Sequence, residues 1–117
     1  MNKNDVQSYL EKQLKDAGCV LLKAGFSTFL EPMVFIEYDR DLLGKFPDYY
    51  QVYFKAHFME TGYMPFAFPY TKATQKELSE RWREWYQQIL IIKQSILKEL
   101  KKLPQCEHYD KLPEGFI

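Results

Sequence analysis

The region from residue 73 to residue 102 carries the strongest periodic signal in this chain. Its large apolar residues recur at alternating steps of four and three, which places them along one side of an α-helix. These residues are Leu78, Trp82, Trp85, Ile89, Ile92 and Ile96. Thr74 and Glu77 match the capping-box pattern that begins helices, and Pro104 lies just beyond the predicted end. The rest of the chain must pack around one long C-terminal helix.

Further apolar residues widen this stripe in the middle of the predicted helix. They are Leu90, Ile91, Leu97 and Leu100. Together with the first set they make the helix apolar around most of its circumference. Such a helix is either central to a bundle or shared between its own domain and a partner.

A second constraint is the density of aromatic residues between Phe46 and Tyr70, where ten of 25 residues are aromatic. Pro47 is typical of a first helical turn, and Gly62 is typical of the position just after a helix end. Alternation of apolar residues from Tyr50 to Phe58 also permits a strand. The proline and the glycine at the two ends favour a helix. A connection interrupted by prolines follows from Met64 to Tyr70.

The N-terminal third is less decisive. Val6, Leu10 and Leu14 have helical spacing, with Asn4 or Asp5 as the predicted cap. The helix could end at Gly25, or at Gly18 with a strand following over residues 19–24. The apolar run from residue 33 to residue 38 has no period, and the acidic residues that follow favour a helix from about residue 38 onward.

The predicted fold class is therefore mainly α, a small helical bundle with a long C-terminal helix. The alternative is an α+β fold in which a short antiparallel hairpin in residues 19–38 packs on the helices. We expect one compact domain over residues 1–104. Residues 105–117 would form a C-terminal tail that packs back through Tyr109, Leu112 and Phe116 or else is mobile.

Composition argues against several broad classes of function. The chain has 16 basic and 16 acidic residues, whereas general nucleic-acid binders carry a strong basic excess. The first 16 residues are polar, so no signal peptide is predicted. Cys19 and Cys106 lie 87 positions apart without a disulfide framework, which favours reduced thiols in a cytoplasmic protein. The five glycines are scattered, so no phosphate-binding loop is predicted.

Three groups of residues could carry chemistry, and each has a plainer interpretation. The carboxylates of residues 37, 39 and 41 could hold a divalent metal, but a solvated charged turn explains them. His57 could act as a general base, although no nucleophile motif accompanies it. Cys106 and His108 could supply two zinc ligands, too few for a structural site. We predict no metal, no cofactor and no catalytic residue.

The aromatic stretch holds more rings than one inward stripe of a helix can bury, so some are expected at the surface. Tyrosine and tryptophan are enriched in protein interfaces. The predicted binding surface comprises Tyr49, Tyr50, Tyr53, Tyr63, Phe66, Phe68, Tyr70, Trp82 and Trp85. We expect a small soluble interaction protein, such as an adaptor, inhibitor, immunity-type or accessory protein, whose partner is another protein or a second copy of itself.

Two other functions stay open at this point. The same aromatics, beside lysines and arginines, could stack single-stranded nucleic acid. A small hydrolase-type enzyme using His57 and the carboxylates Glu37, Asp39 and Asp41 is the third possibility. No membrane partner is expected, because the longest aliphatic run, Ile89 to Ile92, is far too short to span a bilayer.

Overall fold

The fold is seen in a computed structural model that describes residues 1–27, 30–61 and 67–117. Its elements in chain order are α1 (Lys3–Asp16), β1 (Leu22–Ser27), β2 (Met33–Tyr38), α2 (Arg40–Leu43), α3 (Asp48–Thr61) and α4 (Gln75–Leu100). The protein is mainly α with a long C-terminal helix and a small antiparallel hairpin. The hairpin falls within residues 19–38, where the alternative fold class had placed one.

The first helix begins earlier than predicted and ends at Gly18, which is one of its two predicted ends. Its N-cap is Asn2, whose side chain accepts a hydrogen bond from the Asp5 amide, so the predicted cap at Asn4 or Asp5 is wrong. Gly18 ends the helix in a left-handed conformation with φ of 77°. The amides of Gly18 and Cys19 donate to the carbonyls of Lys15 and Leu14, which is the Schellman pattern. Gly18 therefore turns the chain out of α1 and toward β1.

The apolar run Met33–Tyr38 is a strand, and the prediction of a helix from residue 38 onward is correct only for the four residues of α2. In the hairpin, Leu22 pairs with Tyr38 and Ala24 with Ile36. Asp39 explains the switch from strand to helix. Its carboxylate accepts hydrogen bonds from two amides of the first turn of α2, those of Asp41 and Leu42, each at 3.1 Å.

α1 packs on the hairpin and contacts both of its strands. The ammonium of Lys3 sits 4.1 Å from the centre of the Phe26 ring, and the Gln7 amide reaches the Ala24 carbonyl at 3.4 Å. Leu22 and Ala24 are buried, their backbone included. On the other side of the hairpin, Val34 exchanges two backbone hydrogen bonds with Phe68.

α4 is the helix on which α1 and α3 both pack. Thr74 is its N-cap and accepts a hydrogen bond from the Glu77 amide at 3.2 Å, as the capping-box pattern predicted. Near its start, the Tyr9 and Ser79 hydroxyls are 3.1 Å apart. The predicted apolar stripe is the buried side of α4, except that Trp82 is half-buried. The buried residues of α4 are Leu78, Trp85, Ile89, Ile92, Ile96 and Leu100.

The last residues of the chain belong to the core. Cys106, Leu112, Phe116 and Ile117 are all buried. The Phe116 ring packs against Phe46 and Phe54, with centroid separations of 5.0 and 5.5 Å. The C-terminal segment thus closes the core over the first half of α3.

Candidate protein-binding surface

One face of α3 is buried in the core. Tyr50, Phe54 and Phe58 follow one another at steps of four and are buried. The Phe54 and Phe58 rings are 5.3 Å apart, and each meets the Tyr38 ring edge-on at 5.6 Å. Edge-to-face pairs of this kind stabilise aromatic cores beyond the area that they bury. This face anchors α3 to the hairpin.

The opposite face of α3 is also apolar. Tyr49, Val52, Tyr53 and Ala56 occupy positions i, i+3, i+4 and i+7, so they form one strip along the helix. Val52 is 63% exposed, Ala56 is exposed, and the two tyrosines are half-buried. A surface helix normally turns a polar face to water. We call this strip the α3 patch.

The tyrosine at the start of the α3 patch is held in place by the C-terminal segment. Tyr109 and Cys106 lie near the Tyr49 hydroxyl and, after burial, help to raise the pKa of Tyr49. The Tyr49 ring lies 4.8 Å from that of Tyr50, which in turn lies 6.4 Å from the Tyr109 ring. A ring fixed in this way loses little side-chain freedom when a partner packs against it. The patch therefore has a preorganised aromatic end.

The same tyrosine cluster makes the stability of the fold sensitive to high pH. Burial raises the pKa of Tyr50 well above its ordinary value of about 10, and the neighbouring Tyr109, Tyr49 and Cys106 raise it further. The unfolded chain loses this proton near pH 10 while the folded chain keeps it. Stability from Tyr50 is therefore complete below pH 10 and is lost as the pH rises beyond it.

We expect Tyr50→Phe to weaken this loss of stability. Urea unfolding of the native chain and the variant at pH 8 and pH 10.5 measures it. The drop in unfolding free energy between the two pH values should be smaller for Tyr50→Phe. Equal drops in the two proteins would show that Tyr50 does not carry this pH dependence.

The residues predicted to form one binding surface are divided between the core and several elements. Tyr50, Phe68 and Trp85 are at most 7% exposed, so the expectation that they lie at the surface is wrong. Phe68 is buried because its backbone pairs with Val34, which brings its ring to 6.1 Å from that of Trp85.

The remaining predicted residues are half-buried or lie outside the described residues. Tyr49 and Tyr53 are half-buried within the α3 patch. Tyr70 and Trp82 are half-buried on other elements, Tyr70 in a short 3₁₀ turn and Trp82 stacked on Tyr86 at 6.0 Å. Tyr63 and Phe66 fall outside the described part of the chain.

Val52 and Ala56 were not in the predicted set. The predicted surface consists of aromatic residues, whereas these two are small aliphatics. The signal that identifies them is helical spacing, because they stand at i+3 and i+7 from Tyr49 on the same helix. Their importance follows from exposure, which periodicity does not report when both sides of a helix are apolar.

The acidic residues of the predicted charged turn have structural roles. Asp39 caps α2, and Glu37 lies opposite Lys23 in the hairpin register. In the residues that the structure describes, no three side chains from His, Cys, Asp and Glu come together as a metal site.

The two histidines lie on other elements than those carboxylates. His57 is half-buried on α3. The pKa of the Glu99 carboxyl on α4 is lowered mainly by its hydrogen bond with Lys102 and in smaller part by His57. His108 is exposed against the Tyr109 ring while the Cys106 thiol is buried. The Cys106–His108 pair is thus divided between core and surface.

No protein-family model matches the chain, and comparison with curated proteins and with solved structures finds no significant match. Of the helices in the described ranges, none combines the length and the apolar character needed to cross a membrane.

Proposed function

We propose that this protein acts by binding another protein, and that the α3 patch is the surface it uses. The observation that carries the proposal is the apolar α3 patch on the outward face of α3, in which Val52 and Ala56 are exposed and Tyr49 and Tyr53 are half-buried. An apolar strip that folding leaves in water gains free energy when a partner covers it.

The spacing of the α3 patch indicates what kind of surface would fit it. Residues at i, i+3, i+4 and i+7 are the anchors by which helices dock into apolar grooves or onto other helices. Tyr49 and Tyr53 combine an apolar ring with a hydroxyl that hydrogen-bonds at an interface rim. We therefore expect a partner with an apolar groove or a helix of similar length.

The experiment compares glutamate substitutions inside and outside the α3 patch. Val52→Glu places a charge in the α3 patch, and Lys12→Glu places a glutamate at an exposed position of α1. Proteins recovered with the native chain from its own cells are identified and purified, and their binding to all three proteins is measured by calorimetry. Val52→Glu should weaken binding by at least about tenfold, because the charge would be buried without a partner.

The lysine variant and the folded state provide the controls. Lys12→Glu should bind within about threefold of the native chain, since exposed positions outside an interface contribute little. Circular dichroism should show that both variants keep the native helix content. Partners that bind Val52→Glu as tightly as the native protein would refute the α3 patch as the interface.

A further inference from the structure

The outward side of α4 carries a row of exposed residues at alternating steps of four and three. The row consists of Glu80, Glu84, Gln87, Ile91, Gln94 and Lys98. Ile91 is 61% exposed in the middle of this row, two residues from buried Ile89 and so on nearly the opposite side of the helix. We call this row the α4 stripe.

The α4 stripe is complementary to itself when a second copy is laid antiparallel across it. With Ile91 facing Ile91 of the second copy, Glu84 lies opposite Lys98, since each is seven residues from the centre. Glutamines flank the centre on both sides. A parallel arrangement would instead place Glu84 against Glu84 and Lys98 against Lys98, which repel.

Two simpler explanations do not account for the whole arrangement. The helix dipole favours acidic residues in the first turn and basic residues in the last, and its influence ends within those turns. It explains Glu77 and Lys98, but Glu84 is the tenth residue of α4. Glu84 also lies 3.2 Å from Arg81, yet an ion pair within the helix gives no reason for an exposed isoleucine at residue 91.

We propose that two copies of this chain associate through the α4 stripe, antiparallel and with the two-fold axis at Ile91. A two-fold interface uses the same surface on both copies, so every charge pair in it occurs twice. Two copies joined in this way carry two α3 patches, and the dimer is bivalent toward the partner proposed above. The inference goes beyond the proposed function and does not depend on it, because the α3 patch lies on another helix.

Charge reversal followed by charge restoration tests the pairing. Sedimentation velocity at low salt should show a concentration-dependent dimer of the native chain. Glu84→Lys and Lys98→Glu should each weaken it by at least about tenfold, because each change places two like-charged pairs in the interface. The dimer affinity of the double variant should recover to within about threefold of that of the native chain. Lys12→Glu, at an exposed position of α1, should not change the dimer affinity.

A cross-linking measurement tests the position of the axis independently. Ile91→Cys should form a covalent dimer with a short bismaleimide, because the two thiols would face each other. Val52→Cys should not form this covalent dimer, although Val52 is about as exposed as Ile91. The native cysteines are buried and should not react.

A native chain that stays monomeric would overturn the proposal. A double variant that dimerises as weakly as the single variants would overturn it too. Val52→Glu should leave the dimer intact, so partner binding and self-association can fail separately.

Discussion

Phe116→Ala should lower the free energy of unfolding by about 3–5 kcal/mol, which is the range for removing a buried phenylalanine. Phe116 is the penultimate residue of the chain and is 0% exposed. Its ring packs against Phe46, Tyr50 and Phe54, with centroid separations between 5.0 and 5.5 Å. The substitution leaves a cavity between α3 and the C-terminal segment that neighbouring rings cannot fill without leaving their own contacts.

Chemical denaturation of the native chain, Phe116→Ala and Glu114→Ala measures this effect. Glu114 is exposed two residues earlier, so its replacement should change stability by no more than about 0.5 kcal/mol. The slope with denaturant should stay the same for all three proteins if only stability changes. A loss below about 1 kcal/mol for Phe116→Ala would mean that the C-terminal segment is not part of the cooperative core.

The two tryptophans, three residues apart on α4, should differ strongly in their contribution to stability. Trp85 is 2% exposed and meets the Phe68 ring edge-on at 6.1 Å. We expect Trp85→Ala to cost about 3–5 kcal/mol, as large-to-small changes in a core do. Trp82 is half-buried and stacks on Tyr86 along the same helix. We expect Trp82→Ala to cost about 1 kcal/mol.

Thermal and urea unfolding of the two alanine variants give the comparison directly. Each variant also retains a single tryptophan, so its emission reports one environment. The protein that keeps Trp85 should emit at shorter wavelength than the protein that keeps Trp82, because Trp85 is shielded from water. Equal costs for the two substitutions would contradict the assignment of Trp85 to the core and Trp82 to its margin.

Several elements are predictable because their signals are local. The beginning of α4 follows from the Thr74 cap, and its buried side follows from the spacing of apolar residues from Leu78 to Ile96. α3 is predictable from Pro47 and Gly62 at its two ends. Both helices depend on hydrogen bonds within a few residues, so the sequence alone is sufficient for them.

The hairpin and the C-terminal segment are not predictable in this way. An apolar run such as Met33–Tyr38 suits either a strand or a buried helix. It becomes a strand because Leu22–Ser27 is available to pair with it on one edge and Phe68 on the other. The tail had two open outcomes, and Phe116 is buried because residues more than 60 positions earlier form a site for its ring.

The candidate surface also depends partly on local sequence and partly on tertiary contacts. From sequence, α3 is a helix with more apolar residues than one stripe can bury. Which of its two apolar faces meets the core depends on the tertiary structure, because the spacing of both is compatible with one side of a helix. Tyr38 and Phe116 contact the face of Phe54 and leave Val52 on the outside. Periodicity thus determined that α3 has a surplus apolar face, and long-range packing alone decided that this face is the one carrying Tyr49, Val52, Tyr53 and Ala56.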